Sequence, residues 1–575
     1  MYGARVRRSG ALKGRVLPCA LLAAALFAFP SVAAGQPPAP PPDNPAPTPT
    51  PAPTPVPAQT PDGAVLPAGP DAVLPANEAG KQGPLPDAQH SSNEAAKLGN
   101  TKVAPDPITA KEVVPKNDDE PKKADEPKVP ESGFFFGSYG RVVAATDFRK
   151  RPGRDADIVA RGSRLDESPY FELDLQRQDY WTATKSTTRA VITLGTSAPL
   201  FHYNAQFDIQ MAVRNLFIEE HDLLVKGLSA WVGSRMYRGD DAYLLDVWPL
   251  DNLNTMGGGV RYDLPSGRTY FAVHGGMSQP TTGFFRQTVQ RTPALNQPGA
   301  SSVNVLDRQK LIMSLKASHV IPVGQTAGIK GVLYGEVHDV SSGQRETTRP
   351  GIFETLPGDS GYVIGAQVGA FTGKDASHVN LFIRYAGGLA AYGEFGSPYQ
   401  LSPDRDSTGA HELRVTLSGN YETGPLGLML AGYVRSYRNA SPDLDFDDLD
   451  EGIIIARPHF FIGESAGIAA EVSYQAQQRG VLMTPQGEAG APVPAPAAGP
   501  HHASLVRFGL IPFLNPAGKG DYSRPQFRLI YLVTRRDDGA RALYPRDDVF
   551  GLRTWEHFFG VGVEWWFNAQ TTYGG

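Results

Sequence analysis

The sequence holds a single cysteine, Cys19, so the chain after it has no disulfide or thiol chemistry. Long apolar runs are also scarce. Beyond the N-terminal stretch none reaches the roughly 18 residues that a membrane-crossing helix requires. Charge of one sign is lacking too: the formal net charge is −5 over 575 residues, which gives no electrostatic basis for a nucleic-acid partner. No P-loop and no G-x-S-x-G nucleophile motif occurs, so no enzyme is expected. His501-His502 follows a Pro- and Ala-rich stretch, reads as an extracellular loop, and has no carboxylate or cysteine pattern to complete a metal site. The acidic run 443–451 lacks the glycine-centred spacing of a calcium loop and reads as a solvated loop. Neither a metal nor a cofactor is expected.

What is present divides into four parts. Residues 1–35 combine Arg5, Arg7, Arg8, Lys13 and Arg15 with an apolar run from Val16 to Phe29 and a small-residue end, Val32-Ala33-Ala34-Gly35. That order is a cleaved secretory signal. Cys19 lies inside its apolar run, behind Pro18, and does not read as a lipoprotein acylation site. Residues 36–130 carry nearly half of the 51 prolines. Such a segment cannot bury enough apolar surface to offset its ordering entropy, so it reads as a disordered periplasmic spacer, with contact to the cell wall as the functional alternative. Residues 131–567 change texture: roughly eighteen alternating segments recur, separated by Gly, Pro, Asp and Asn clusters. Residues 568–575 form a short extension.

The fold expected is all-β, a transmembrane antiparallel barrel of 18 strands. The last segment shows why. Phe559, Val561, Val563, Trp565 and Phe567 share one face, opposite Gly560, Gly562, Glu564 and Trp566. One face suits lipid and an aromatic girdle, the other a polar lumen. Phe527, Leu529, Tyr531 and Val533 likewise oppose Gln526 and Arg528. Arg214 falls in phase with Asp208, Gln210 and Ala212, opposite Phe207, Ile209, Met211 and Val213. The strands are too many for one sandwich, and no blade repeat of about 40 residues indicates a propeller. An exported chain of this kind belongs in the outer membrane of a Gram-negative cell, with lipid as its surroundings.

The stretch Trp231 to Asp251, beginning Trp-Val-Gly-Ser-Arg-Met-Tyr, resembles maltoporins, in which a strand of pattern W-x-G-x-R-x-Y leads into a loop folded into the pore. Ser138-Tyr139-Gly140-Arg141, Tyr170-Phe171-Glu172, Val213-Arg214-Asn215, Ser523-Arg524-Pro525 and Glu564-Trp565-Trp566-Phe567 are similar in order. The resemblance implies a homotrimeric channel in which oligosaccharides or disaccharides slide along aromatic rings flanked by charged residues. Carried over, the slide comprises Tyr139, Tyr170, Trp248, Tyr522 and Trp566. The charged track comprises Arg141, Arg164, Glu172, Arg214 and Asp246. The constriction loop contributes Arg238, Asp240, Asp241 and Tyr243. Tyr522 replaces a family tryptophan, Gly239 an arginine and Tyr243 a histidine; Phe201, Tyr203 or Phe207 would reach into a neighbouring subunit. A general diffusion or ion porin, a structural barrel tethered through residues 36–130, and a barrel enzyme are the alternatives.

Overall fold

A computed structural model describes residues 132–197, 200–207, 210–291, 301–372, 377–441, 448–481, 500–545 and 547–567. The expected signal peptide, the proline-rich segment and the C-terminal extension lie outside the described residues. The wall begins with β1 (Gly133–Thr146), β2 (Tyr170–Trp181), β3 (Ser186–Ser197), β4 (Gln210–His221), β5 (Leu228–Arg238), β6 (Asn252–Asp263) and β7 (Thr269–Ser278). A hairpin of β8 (Arg286–Gln290) and β9 (Ser302–Asp307) stands apart from it. The wall resumes with β10 (Lys310–Val323) and β11 (Ala327–Val340), and a second separate hairpin follows, β12 (Gly343–Glu346) with β13 (Phe353–Leu356). Then come β14 (Asp359–Thr372), β15 (His378–Gly388), β16 (His411–Thr423), β17 (Leu426–Arg438), β18 (Leu449–Ile462), β19 (Ala466–Val481), β20 (Pro500–Leu514), β21 (Gln526–Arg536) and β22 (Trp555–Phe567). Apart from the two hairpins, these strands form one 18-stranded sheet. β1 pairs with both β2 and β22, so the sheet closes on itself and leaves no edge.

Strand alternation sorts the side chains. In β10, Lys310, Ile312 and Ser314 are buried, whereas Leu311, Met313 and Leu315 are exposed by 45, 64 and 63%. An apolar belt left in water would cost about 25 cal/mol per Å²; in a bilayer it is the required surface. Phe134, Phe136, Trp181 and Phe567 add aromatics to this outer face. Alternation slips once at the expected Arg214 face. The β3–β4 register shifts between Thr193 and Leu194, so Val213 points outward, Arg214 and Asn215 both turn inward, and Leu216 and Ile218 point outward again.

Connections at one end are short, such as 182–185, 324–326 and 424–425. At the other end they are long, such as 147–169, 239–251 and 389–410. In barrels of this class the short turns are periplasmic and the long loops extracellular. The exception at the short end is 515–525. Two long loops fold inward instead of outward. Ile158 and Val159 from the first pack with Ala242, Leu244, Leu245 and Val247 from the second, against Met429, Tyr433, Ile453 and Leu505 of the wall. A small apolar core therefore sits inside the lumen.

Two loop expectations are corrected. His501 and His502 belong to β20, opposite Arg479 and Gln478, because the strand starts before the histidines. The acidic run ends in β18: Asp450 pairs with Arg438 and Glu451 with Arg435, so these carboxylates are partners of wall arginines. Residues 442–447 lie outside the described residues.

Candidate functional site

Register assembles the lumenal block. Tyr139 on β1 faces Glu172 on β2 and Trp566 on β22, and Arg141 faces Tyr170 and Glu564. Residues two apart on a strand share a face, so all six side chains lie together. The rings continue across the lumen. Tyr139 and Tyr170 lie 6.2 Å apart, Trp566 and Tyr243 6.1 Å, Tyr243 and Tyr522 5.5 Å. Tyr170 donates to Glu172 Oε1 at 2.6 Å, and Arg214 bridges both, at 2.6 Å to the tyrosine oxygen and 2.8 Å to the carboxylate. Gly195 makes this possible: a Cβ there would lie 2.7 Å from both Arg214 Cδ and the Tyr170 oxygen.

Glu564 is the centre of the block. It accepts from Tyr243 Oη at 2.5 Å, Arg524 Nε at 2.9 Å and Arg528 Nη2 at 2.6 Å, and Arg164 Nη2 stands 3.3 Å away. Arg164 also donates to Tyr139 Oη, and Arg524 to Tyr243 Oη. Asp246 sits in a left-handed conformation, φ 48°, closing the turn Tyr243–Leu245. Its carboxylate lies 3.4 Å from Arg141 and 3.8 Å from Arg164, while Glu167 takes Arg141 at 2.5 Å. Charges withdrawn from water need this density of partners, since an unpaired buried charge costs several kcal/mol.

The same guanidinium groups lie over the rings. Arg524 stands 4.5 Å from the centre of Trp566, and Arg164 4.8 Å from that of Tyr243 and 5.9 Å from that of Tyr139. Arg141 and Arg214 each stand 5.9 Å from Tyr170. Tyr139 is accordingly only 2% exposed and Tyr170 6%. A flat solute reaching these faces has to replace a cation–π contact.

Other expected residues stand apart. Trp248 is buried under Arg238, 4.1 Å from its guanidinium, and among the described residues it makes no ring pair with the aromatic row. Arg238 donates to Asn252 at 2.7 Å and Asn254 at 3.2 Å. Asp240 is tied to Lys330 at 2.8 Å and to Gln367. Burial pushes its carboxyl up, but the Lys330 ammonium outweighs that and holds it at about 2. Asp241 is half-buried beside it. Phe201, Tyr203 and Phe207 are exposed by 40, 69 and 85%, with Phe201 stacked on Phe207 at 4.2 Å.

Three features were missed from sequence. Arg524, Arg528 and Glu564 complete the block; strand parity already placed the last two inside. Loop 147–169 crosses the lumen: Ile158 N donates to Gln475, Ala160 N to Glu451, and Ser163 Oγ to Glu471. Its Asp155, Asp157 and Asp166 converge, but Arg507 lies 2.9 Å from Asp157 and 3.1 Å from Asp166 and takes the place a cation would have. Burial pushes Asp166 up to about 7, with Arg507 opposing. Finally, Arg384, Arg414 and Arg435 stand side by side on β15, β16 and β17. A cross-strand row of this kind has no signal in a single sequence.

A family model described as LamB porin matches residues 136–567. No curated protein sequence matches at a significant level. Solved structures with similarity include OccD3 (OpdP) of Pseudomonas aeruginosa, 11% identical, TM-score 0.38, covering 77% of this chain and 93% of that one. OprD of the same organism is 9% identical, TM-score 0.37, covering 76% and 97%. OccAB1 of Acinetobacter baumannii is 9% identical, TM-score 0.36, covering 77% and 100%. The maltoporin assignment expected from the pore-loop stretch is corrected here: the match is to LamB porins as a family, and the assignment stops at the family that matches. The barrel, its apolar belt and a family match over most of the chain lead to one statement: the chain belongs to the LamB porin family and is an outer-membrane channel for the diffusion of small substrates.

Proposed function

We propose that the channel favours small sugars, which pass by exchanging contacts along Tyr170, Tyr139, Trp566, Tyr243 and Tyr522. The observation that carries this reading is two groups of adjoining rings, Tyr170 with Tyr139 and Trp566 with Tyr243 and Tyr522, on strands where Tyr139 and Trp566 are cross-strand partners, with Arg164, Arg524 and Glu564 beside them. A pyranose has apolar C–H faces and a rim of hydroxyls. Flat rings desolvate the faces, and guanidinium and carboxylate groups exchange hydrogen bonds with the rim. Several weak sites in series allow both entry and exit.

A second reading, a general diffusion or ion porin, is favoured by the guanidinium groups already lying over the ring faces. Single-channel recording of the full chain in a planar bilayer separates the two. Under the sugar reading, disaccharides and short oligosaccharides block the ion current with concentration dependence, and closures in three steps mark the expected trimer. Open channels indifferent to every sugar would leave the general porin.

A further inference from the structure

The arginine row opposite the aromatic block has more positive charge than its surroundings neutralise. Arg384 faces Arg414, and Arg414 faces Arg435, as direct cross-strand partners. Like charges in that relation repel. Glu412 answers all three, at 2.9 Å to Arg384, 3.1 Å to Arg414 and 2.5 Å to Arg435. Glu451 takes Arg435 at 3.2 Å and also accepts from Ala160 N and Tyr433 Oη. Both carboxylates are thus engaged.

A fourth guanidinium then arrives from the inward-folded loop. Arg161, whose backbone N–H donates to Tyr433 Oη at 3.0 Å, lines one cavity with Arg414, Arg435 and Glu451. Among the described residues no carboxylate forms an ion pair with it. Asp246, the acidic group facing it from the constriction loop, is the partner of Arg141 and Arg164. Arg414 Nε is buried there without a hydrogen-bond partner. Burial, followed by Arg414 and Arg435, pushes Arg161 below its ordinary value. In a medium of reduced dielectric such crowding is relieved by one incoming negative group.

We propose that Arg161, Arg414 and Arg435 form a subsite for an oxyanion, the carboxylate or phosphate of a permeating solute. Arginine suits either group because its fork donates two parallel N–H bonds. The side chains of Arg414 and Arg435 retain 18 and 17% exposure, which leaves them reachable from the lumen. The subsite lies on a different wall from the aromatic row and does not depend on the sugar reading.

The test is bilayer recording of the full chain in potassium chloride, with gluconate, inorganic phosphate and neutral glucose added separately. Gluconate or phosphate is expected to reduce the current in the wild type, with the more effective anion identifying the preferred group. In Arg161→Gln the block constant is expected to rise about tenfold, and Arg161→Lys should recover part of the block. Gel mobility of the detergent-extracted variant that matches the wild type before and after heating shows that it has folded. Anions that fail to block, or that block wild type and Arg161→Gln alike, overturn the proposal. Anion block without any sugar block would leave this subsite standing and remove the sugar reading.

Discussion

Tyr243 and Glu564, 321 positions apart in sequence, meet through a 2.5 Å hydrogen bond in which the phenol donates to the carboxylate. The bond joins a loop that descends from the long-loop end to the last strand of the wall. Arg524, from the one extended turn of the opposite end, touches both partners.

Tyr243→Phe removes the shared hydroxyl and leaves Glu564 with one donor fewer. A lost hydrogen bond to a buried charged group costs about 1.5–3 kcal/mol. The expected result is a looser constriction loop, seen as higher unit conductance and more current noise in single-channel records.

Glu564→Gln has a larger effect, because Arg164, Arg524 and Arg528 lose their common counter-charge. Breaking a buried pair in this way costs about 3–5 kcal/mol. Denaturant titration of the folded barrel should show the loss. The reversal potential in a salt gradient should shift toward anion selectivity.

Trp566→Ala and Trp248→Ala separate the aromatic row from its neighbour. Trp566 lies next to Tyr139 and Tyr243, whereas Trp248 pairs with Arg238. An aromatic contact is worth about 0.5–1.5 kcal/mol. Trp566→Ala should therefore weaken sugar block about two- to tenfold, and Trp248→Ala should weaken it less.

Acidification should close the channel partway through loop 147–169. Burial raises the folded-state value of Asp166 from 3.8 to about 7. Stabilisation of the docked loop is then fully present below about pH 4, and is lost as pH rises through about 7. Conductance should accordingly increase between about pH 4 and about pH 7, and Asp166→Asn should flatten that dependence.

The sequence made the wall legible and the interior only in part. Period-2 alternation located Leu529 and Phe559 outside and Gln526 and Glu564 inside, because lipid and lumen impose opposite demands on neighbouring residues. Pairs such as Tyr139 with Arg141 were readable for the same reason. Alternation beyond Arg214 was not, because a single bulge resets the phase. Register was out of reach as well, and with it the row Arg384, Arg414 and Arg435.

Loop paths were the least legible. No pattern in the sequence marked the path of 147–169, in which Ile158 N binds Gln475, 317 positions away, and Arg507 reaches Asp166 across 341. Trp248 was expected on the slide from its place in the pore-loop stretch. The cation of Arg238, ten residues earlier in the same loop region, covers it instead.

Closure of the barrel also completes the seat of the constriction loop. One side of that seat is on β10, β11 and β14, where Lys316, Lys330 and Gln367 hold Asp251 and Asp240. The other side is on β1, β21 and β22, where Arg141, Arg528 and Glu564 hold Asp246 and Tyr243, and these strands adjoin only because the last is zipped to the first. A wall opened at that seam would hold the loop from one side alone, so the full narrowness of the channel is itself a report that the wall has been sealed.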